Sequence, residues 1–187
     1  MKLINESDKK LIQELCDWNI SKSDFVNKTN FKANYDQLNY LLDNTKKDFN
    51  DKNGNNRSFR EIFWNVPTTL SFQEEIVIFR KYLLKNWHHE HEEIAGSFQA
   101  FFHNDKENIP ILLEAINDVP KYLQIDDLKK SYIRKIIYAI GAQPEPENIK
   151  ALEGLAKSGD EKVRDLATHQ IEKRKKLGRW EAARNDQ

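Results

Sequence analysis

The tripeptide Glu107-Asn108-Ile109 returns 40 residues later as Glu147-Asn148-Ile149, with Leu112 and Leu152 in the same register behind it. Phe98 and Tyr138 share that offset, as do Ile94 and Arg134. A second correspondence, Ile133-Arg134-x-x-Ile137 with Val163-Arg164-x-x-Ala167, is offset by 30, and the difference of ten is the length of the connector DVPKYLQIDD. A unit of one helix, a short turn and a second helix cannot cover its own apolar face, so neighbouring units must stack. The pattern predicts an all-α chain: an α-solenoid of stacked antiparallel helix pairs over 71–187, continuous with an amino-terminal helical region over 1–70.

The helices themselves are read from apolar spacing and its interruptions. Leu11, Ile12, Leu15 and Trp18 form a stripe over 7–18, with Ser7 or Asp8 as cap. Residues 19–34 are polar, with Phe25 and Phe31 out of period, and read as a loop with a short helix. Tyr35, Leu38, Leu41, Leu42 and Phe49 define a helix over 35–49, which runs into DKNGNN and predicts an exposed, mobile loop over 50–58. The segment FREIFWNV before Pro67 fits one helical turn or a short strand. Ser71-Phe72-Gln73-Glu74 has the form of a capping box opening a helix that carries Ile76, Phe79, Leu83 and Leu84. Further helices are predicted over about 87–102, 106–117, 126–142, 147–157 and 160–177, broken by HND, NDVP, QPEP, SGD and Gly178.

Composition narrows the function. The chain of 187 residues is 39% hydrophobic and 32% charged with six Gly and five Pro, too apolar for disorder and too poor in turn residues for an all-β sandwich. Thirty basic and thirty acidic residues cancel, which removes the global electrostatic case for nucleic-acid binding. The basic run Lys173 to Lys176 with Arg179 reads as a solvated helix end at the negative pole of the dipole. The sole cysteine, Cys16, excludes an intramolecular disulfide, and beside Leu15 it reads as a buried inert thiol. No nucleophile-elbow, Walker or dinucleotide-binding run occurs, so no enzyme and no cofactor are expected. The charged start MKLINESDKK and the absence of a long apolar run predict a cytoplasmic chain.

One cluster has the composition of a metal site. His88, His91 and Glu92 lie at i, i+3 and i+4, so one helical face could present two imidazoles and a carboxylate. The HExxH order is missing, and a further ligand would have to come from His103 or His169. The favoured reading is structural: Trp87 packs between repeats while His88, His91 and Glu92 bond to Arg134 or Lys135 on the adjacent helix, and no metal is expected. Phe63, Trp64, Phe101 and Phe102 are read as core where the amino-terminal helices meet the repeats, not as a ligand pocket.

At Ile133-Arg134, Tyr138-Ala139-Ile140-Gly141, Pro146, Ile149, Leu152, Leu155-Ala156, Ser158-Gly159-Asp160 and Val163-Arg164-x-x-Ala167 the chain resembles the short, roughly 30-residue HEAT-like repeat family. The likeness covers about residues 87–176. It implies that Arg134 and Arg164 bond to the neighbouring repeat, and Ala95-Gly96 departs from the pattern in the first unit. The stretch Trp87-His88-x-x-His91-Glu92, followed by Arg134-Lys135-x-x-Tyr138-Ala139-Ile140-Gly141, resembles small bacterial HEAT-like immunity proteins of polymorphic or contact-dependent inhibition toxin systems. That resemblance implies a protein that holds a cognate toxin domain and covers its active or substrate-binding face, without direct nucleic-acid or membrane contact. A HEAT-like scaffold or adaptor for another host protein is the alternative. The contact candidates are Asp126, Asp127, Glu145 and Glu147, expected along one edge of the solenoid at the interhelix turns. Such carboxylates could mimic phosphate against a basic toxin face, or they could simply cap and charge-stabilise helix starts. The region 59–64 is the next candidate surface.

Overall fold

The computed structural model describes residues 4–49, 56–101 and 103–177, and these are all-helical. Among the described residues ten α-helices follow one another: α1 Glu6–Cys16, α2 Lys22–Lys28, α3 Tyr35–Asn44, α4 Arg57–Asn65, α5 Phe72–Leu83, α6 His91–Ala100, α7 Asn108–Asn117, α8 Asp126–Gly141, α9 Glu147–Leu155 and α10 Glu161–Leu177. Thr45–Asp48 and Lys121–Leu123 are 3₁₀ turns. The described residues hold no strand, only an isolated bridge in which the Ala33 N–H donates to the Pro67 carbonyl at 2.8 Å and the Thr69 N–H to the Ala33 carbonyl at 3.0 Å. None of the described helices is long and apolar enough to cross a membrane. The chain forms two compact units, Met1–Ile78 with Lys85–Glu90, and Phe79–Leu84 with His91–Gln187. The expected boundary after residue 70 falls in the connector between α4 and α5.

In the first unit, side chains fix the helix starts. Asn5 Oδ1, two to three residues earlier than the expected cap, accepts the Asp8 N–H at 2.8 Å and caps α1. Ser21 and Asp24 form a capping box for α2, and Asn34 with Gln37 does the same for α3. Residues 50–55 of the predicted loop lie outside the described residues, but 57 and 58 belong to α4 and Asn56 is its cap. Asn56 is 3% exposed, caps α4 by accepting the Phe59 N–H at 3.1 Å, and donates to the Thr45 and Trp87 carbonyls at 2.9 Å each. That satisfied amide starts a helix where the sequence left helix and strand open. Helix α4 packs on α1 and α3, burying Phe59 and Ile62 beside Ile12, Leu15 and Leu42.

Helix α1 does not extend through Trp18. The Asn19 N–H donates to the Glu14 carbonyl at 2.9 Å and the Trp18 N–H to the Leu15 carbonyl at 3.1 Å, which is the Schellman pattern of helix termination. Trp18 occupies the left-handed position of that motif, φ 60°, where glycine is usual. A Cβ there costs about 1–2 kcal/mol. The ring is not repaid by burial, since Trp18 is 65% exposed.

In the second unit α8 touches α6, α7, α9 and α10, α7 touches α9, and α9 touches α10. The repeated asparagine is buried in both copies. Asn108 donates to the His103 carbonyl and, at 2.8 Å, to Gln143 Oε1, and accepts from Arg80 Nε at 2.6 Å. Asn148 donates to the Gly141 carbonyl at 3.3 Å. Both amides thus tie the start of a second helix to the chain that precedes it. Gly141 is required by its neighbour: Gln170 of α10 lies so close that a Cβ would overlap the Gln170 side chain. Two expectations from the family likeness need correction. Arg134 is exposed on α8 and acts on Glu92 through its charge, and Arg164 donates to the Ser158 carbonyl at 3.1 Å, closing the turn that leads into its own helix.

Replacing Asn108 by Ala removes three hydrogen bonds and leaves Gln143 and Arg80 each short of a partner. We expect a loss of about 2–4 kcal/mol in urea denaturation, against less than about 0.5 kcal/mol for Arg134→Ala. Equal small effects would show that the buried amide is not what aligns α7.

Candidate functional site

The four predicted contact residues do not share an edge. Asp126 and Asp127 stand in the first turn of α8, and Glu145 and Glu147 follow its end, with about 21 Å of helix between. Asp126 does not cap α8; the cap position is Ile125, without a side-chain bond. The Asp126 side chain is 93% exposed and lies 3.9 Å from Lys162, while Asp160 at the start of α10 lies 3.8 Å from Lys129. Exposed pairs at that distance contribute little to stability and leave the carboxylates available. Ile125 and Leu128, exposed by 66% and 41%, flank the two aspartates. At the other end the Glu145 carboxylate acts on Arg174 of α10, supporting its charge against the burial that lowers its pKa. The acidic residues therefore divide into an exposed end at Asp126 and Asp127 and an engaged one at Glu145.

The histidine cluster is not assembled on one helical face. The chain over 84–90 is not helical, and α6 begins at His91 instead of near 87. His88 belongs to the first unit, stacks on Phe59 with ring centres 4.0 Å apart, and accepts the Glu90 N–H at 3.1 Å through Nδ1. His91 belongs to the second unit, where its Nδ1 is 3.1 Å from the Tyr122 hydroxyl. Glu92 takes Lys135 Nζ at 2.8 Å and the Ser131 hydroxyl at 2.7 Å, the partner helix expected from sequence. Burial works to raise the Glu92 pKa, but these two bonds outweigh it and hold the carboxyl below its usual range. Among the described residues no group of three His, Cys, Asp or Glu side chains is placed to hold a metal ion.

The first unit contains a cavity of about 470 Å³ between α1, α3 and α4. Ile12, Leu41 and Ile62 line it beside Cys16, with Lys9, Lys47, Tyr40, Asp17 and Asp48 among the polar groups. Its volume lies in the range of small-ligand sites. The thiol in it is unreactive: burial pushes the Cys16 pKa up to about 12, with nearby carboxylates adding to the effect, and Sγ is 3.9 Å from the Ser58 carbonyl. Phe63 and Trp64 are half-buried in the first unit and Phe101 is exposed in the second; Phe102, Gly178 and Arg179 lie outside the described residues.

The sequence reading gave no role to Arg80 and kept His103 only as a spare ligand. Arg80 Nη2 is 2.6 Å from an Asp105 carboxylate oxygen. Burial opposes ionisation of Asp105, but the Glu107 N–H and the Arg80 charge hold its pKa below the ordinary value. His103 is fully buried, edge-on to Phe79 at 4.7 Å. The spacing of Arg80 from Asn108 gave no signal, because the network joins residues from separate helices.

Comparison with protein-family models, with curated proteins and with solved structures gave no match.

Burial, reinforced by the Arg80 charge, lowers the His103 pKa from 6.5 to about 4. The unfolded chain takes the proton near 6.5 and the folded one only near 4, so this stability is complete above about 6.5 and is lost as pH falls to 4. The loss is roughly 3 kcal/mol. His103→Phe should fall less steeply than wild type over that window in urea titrations; parallel curves would remove His103 as the cause.

Proposed function

We infer that the second unit is a short HEAT-like solenoid and that the chain is a protein-binding module, an immunity protein that binds a cognate toxin domain and covers the toxin's active or substrate-binding face. One observation supports this reading above the others. α6, α8 and α10 lie in one series of contacts beside the series α7 and α9, and the second helix of two successive units starts on the same buried asparagine. Stacked units of this kind leave turns and helix ends to vary without disturbing the core. The toxin assignment rests on the motif likeness at Trp87 to Glu92 and Arg134 to Gly141.

The exposed end of α8 suits the task better than the Glu145 end. Ile125 and Leu128 supply apolar contact, and Asp126 and Asp127 supply charge that a phosphate-binding face would attract. The cytoplasm, where an immunity protein must meet its toxin, is the proposed location.

Co-purification with the product of the adjacent gene, followed by calorimetric titration, tests both parts. Asp126→Lys with Asp127→Lys should weaken binding of that toxin domain by about 2–5 kcal/mol, with Glu145→Lys changing it by less than about 0.5 kcal/mol. No complex with the neighbouring gene product would overturn the immunity role, and a larger effect at Glu145 would move the contact to the opposite end.

A further inference from the structure

Two indoles of the first unit are held by buried carboxylates. Trp18 Nε1 donates to Glu61 Oε1 at 2.7 Å, and Trp64 Nε1 donates to Glu90 Oε2 at 2.8 Å. Both glutamates are 8% exposed, and Glu61 also takes Asn65 Nδ2 at 2.7 Å. The negative charges are thus withdrawn from the surface and spent on orienting the rings. What remains outward around Trp18 is mostly cationic, with Asp17 the exposed carboxylate beside it. The Arg57 guanidinium lies 4.8 Å from the Trp18 ring centre, Arg60 is exposed one turn further along α4, and Lys22 Nζ, also exposed, reaches the Trp64 carbonyl at 3.3 Å. The adjacent Asp17 carboxylate is itself engaged, taking Gln13 Nε2 at 3.1 Å.

Trp18 combines three properties that a core residue does not: a left-handed backbone where glycine would be unstrained, a ring locked by a hydrogen bond and a stacked arginine, and high exposure. The fold bears strain to display a rigid aromatic. Tryptophan and arginine are also the side chains that most often anchor protein interfaces.

The geometry points to a docking surface formed by Trp18, Arg57, Arg60 and Lys22, whose occupant is an acidic protein segment that places an apolar side chain against the indole and carboxylates against the cations. The occupant is protein rather than nucleic acid because three cations on a neutral chain make no extended phosphate track. This surface lies in a different unit from Asp126 and Asp127 and goes beyond the reading above.

The test is selection from a random-peptide display library on the full chain, which uses no toxin domain, so its failure leaves the immunity reading standing. Enriched peptides should carry Asp or Glu beside an apolar residue. In fluorescence titrations they should bind about tenfold or more weakly to Trp18→Gly and to Arg57→Glu, and lose affinity when their acids are changed to Lys. Both variants should keep the helical circular-dichroism signal of wild type, so that the loss of binding reads the surface and not the fold. A selection without enrichment, peptides indifferent to either variant or to charge reversal, or oligothymidylate competing for the same surface would overturn the assignment.

Discussion

A buried carboxamide offers two donors and an acceptor that must all find partners away from water, and a helix start offers unpaired backbone groups with the same requirement. Asn108 meets the first requirement in the second unit, while at the start of α7 the Glu107 N–H is taken by Asp105 at 2.9 Å. The Asn108 amide spans Arg80 of α5, the His103 carbonyl and Gln143 beyond α8, so three separate stretches of chain are fixed by one side chain. Gln143 extends the set by donating to the Ala139 carbonyl at 2.8 Å and accepting the Asp105 N–H at 3.1 Å. Apolar packing around Leu112, Ile136 and Ile140 supplies the driving force, but it would tolerate sliding; the amide network does not. Asn56 plays the corresponding part in the first unit, joining the start of α4 to Thr45 and Trp87.

These polar anchors explain which parts of the fold were legible in the sequence. The repeat of Glu-Asn-Ile was visible because the same burial is needed twice, and the Ser71 box was visible because its partners are three residues apart; Glu74 takes the Ser71 N–H at 2.8 Å. The start of α4 was not, because Asn56 derives its role from Thr45 and Trp87, distant in sequence. The start of α6 was displaced for a similar reason: His88 leaves the helical pattern to stack on Phe59. Trp18 continued the apolar stripe of α1 on paper. Periodicity records side-chain spacing and cannot register a left-handed residue that ends the helix and turns the ring outward.

The candidate site was legible as residue type and not as place. Asp126, Asp127, Glu145 and Glu147 all stand near helix ends, as expected, yet the fourteen helical residues Leu128 to Gly141 separate the two pairs. Turn residues that follow opposite ends of one helix cannot share an edge. The histidines show the same limit: spacing compatible with a metal face is meaningless where the chain over 84–90 is not helical. Charge engagement then separates the pairs, since Asp126 faces solvent and Glu145 supports the half-buried Arg174.

The central claim is that α8, touched by four helices and locked to α7 through Asn108 and Gln143, is the cooperative core of the second unit. Residue-resolved native-state hydrogen exchange tests it most directly. The account predicts the slowest amides over Tyr132 to Ile140, with the amides of α7 opening in the same step under increasing denaturant. Amides of α8 that open before those of α10, or an α7 that exchanges independently of α8, would contradict it.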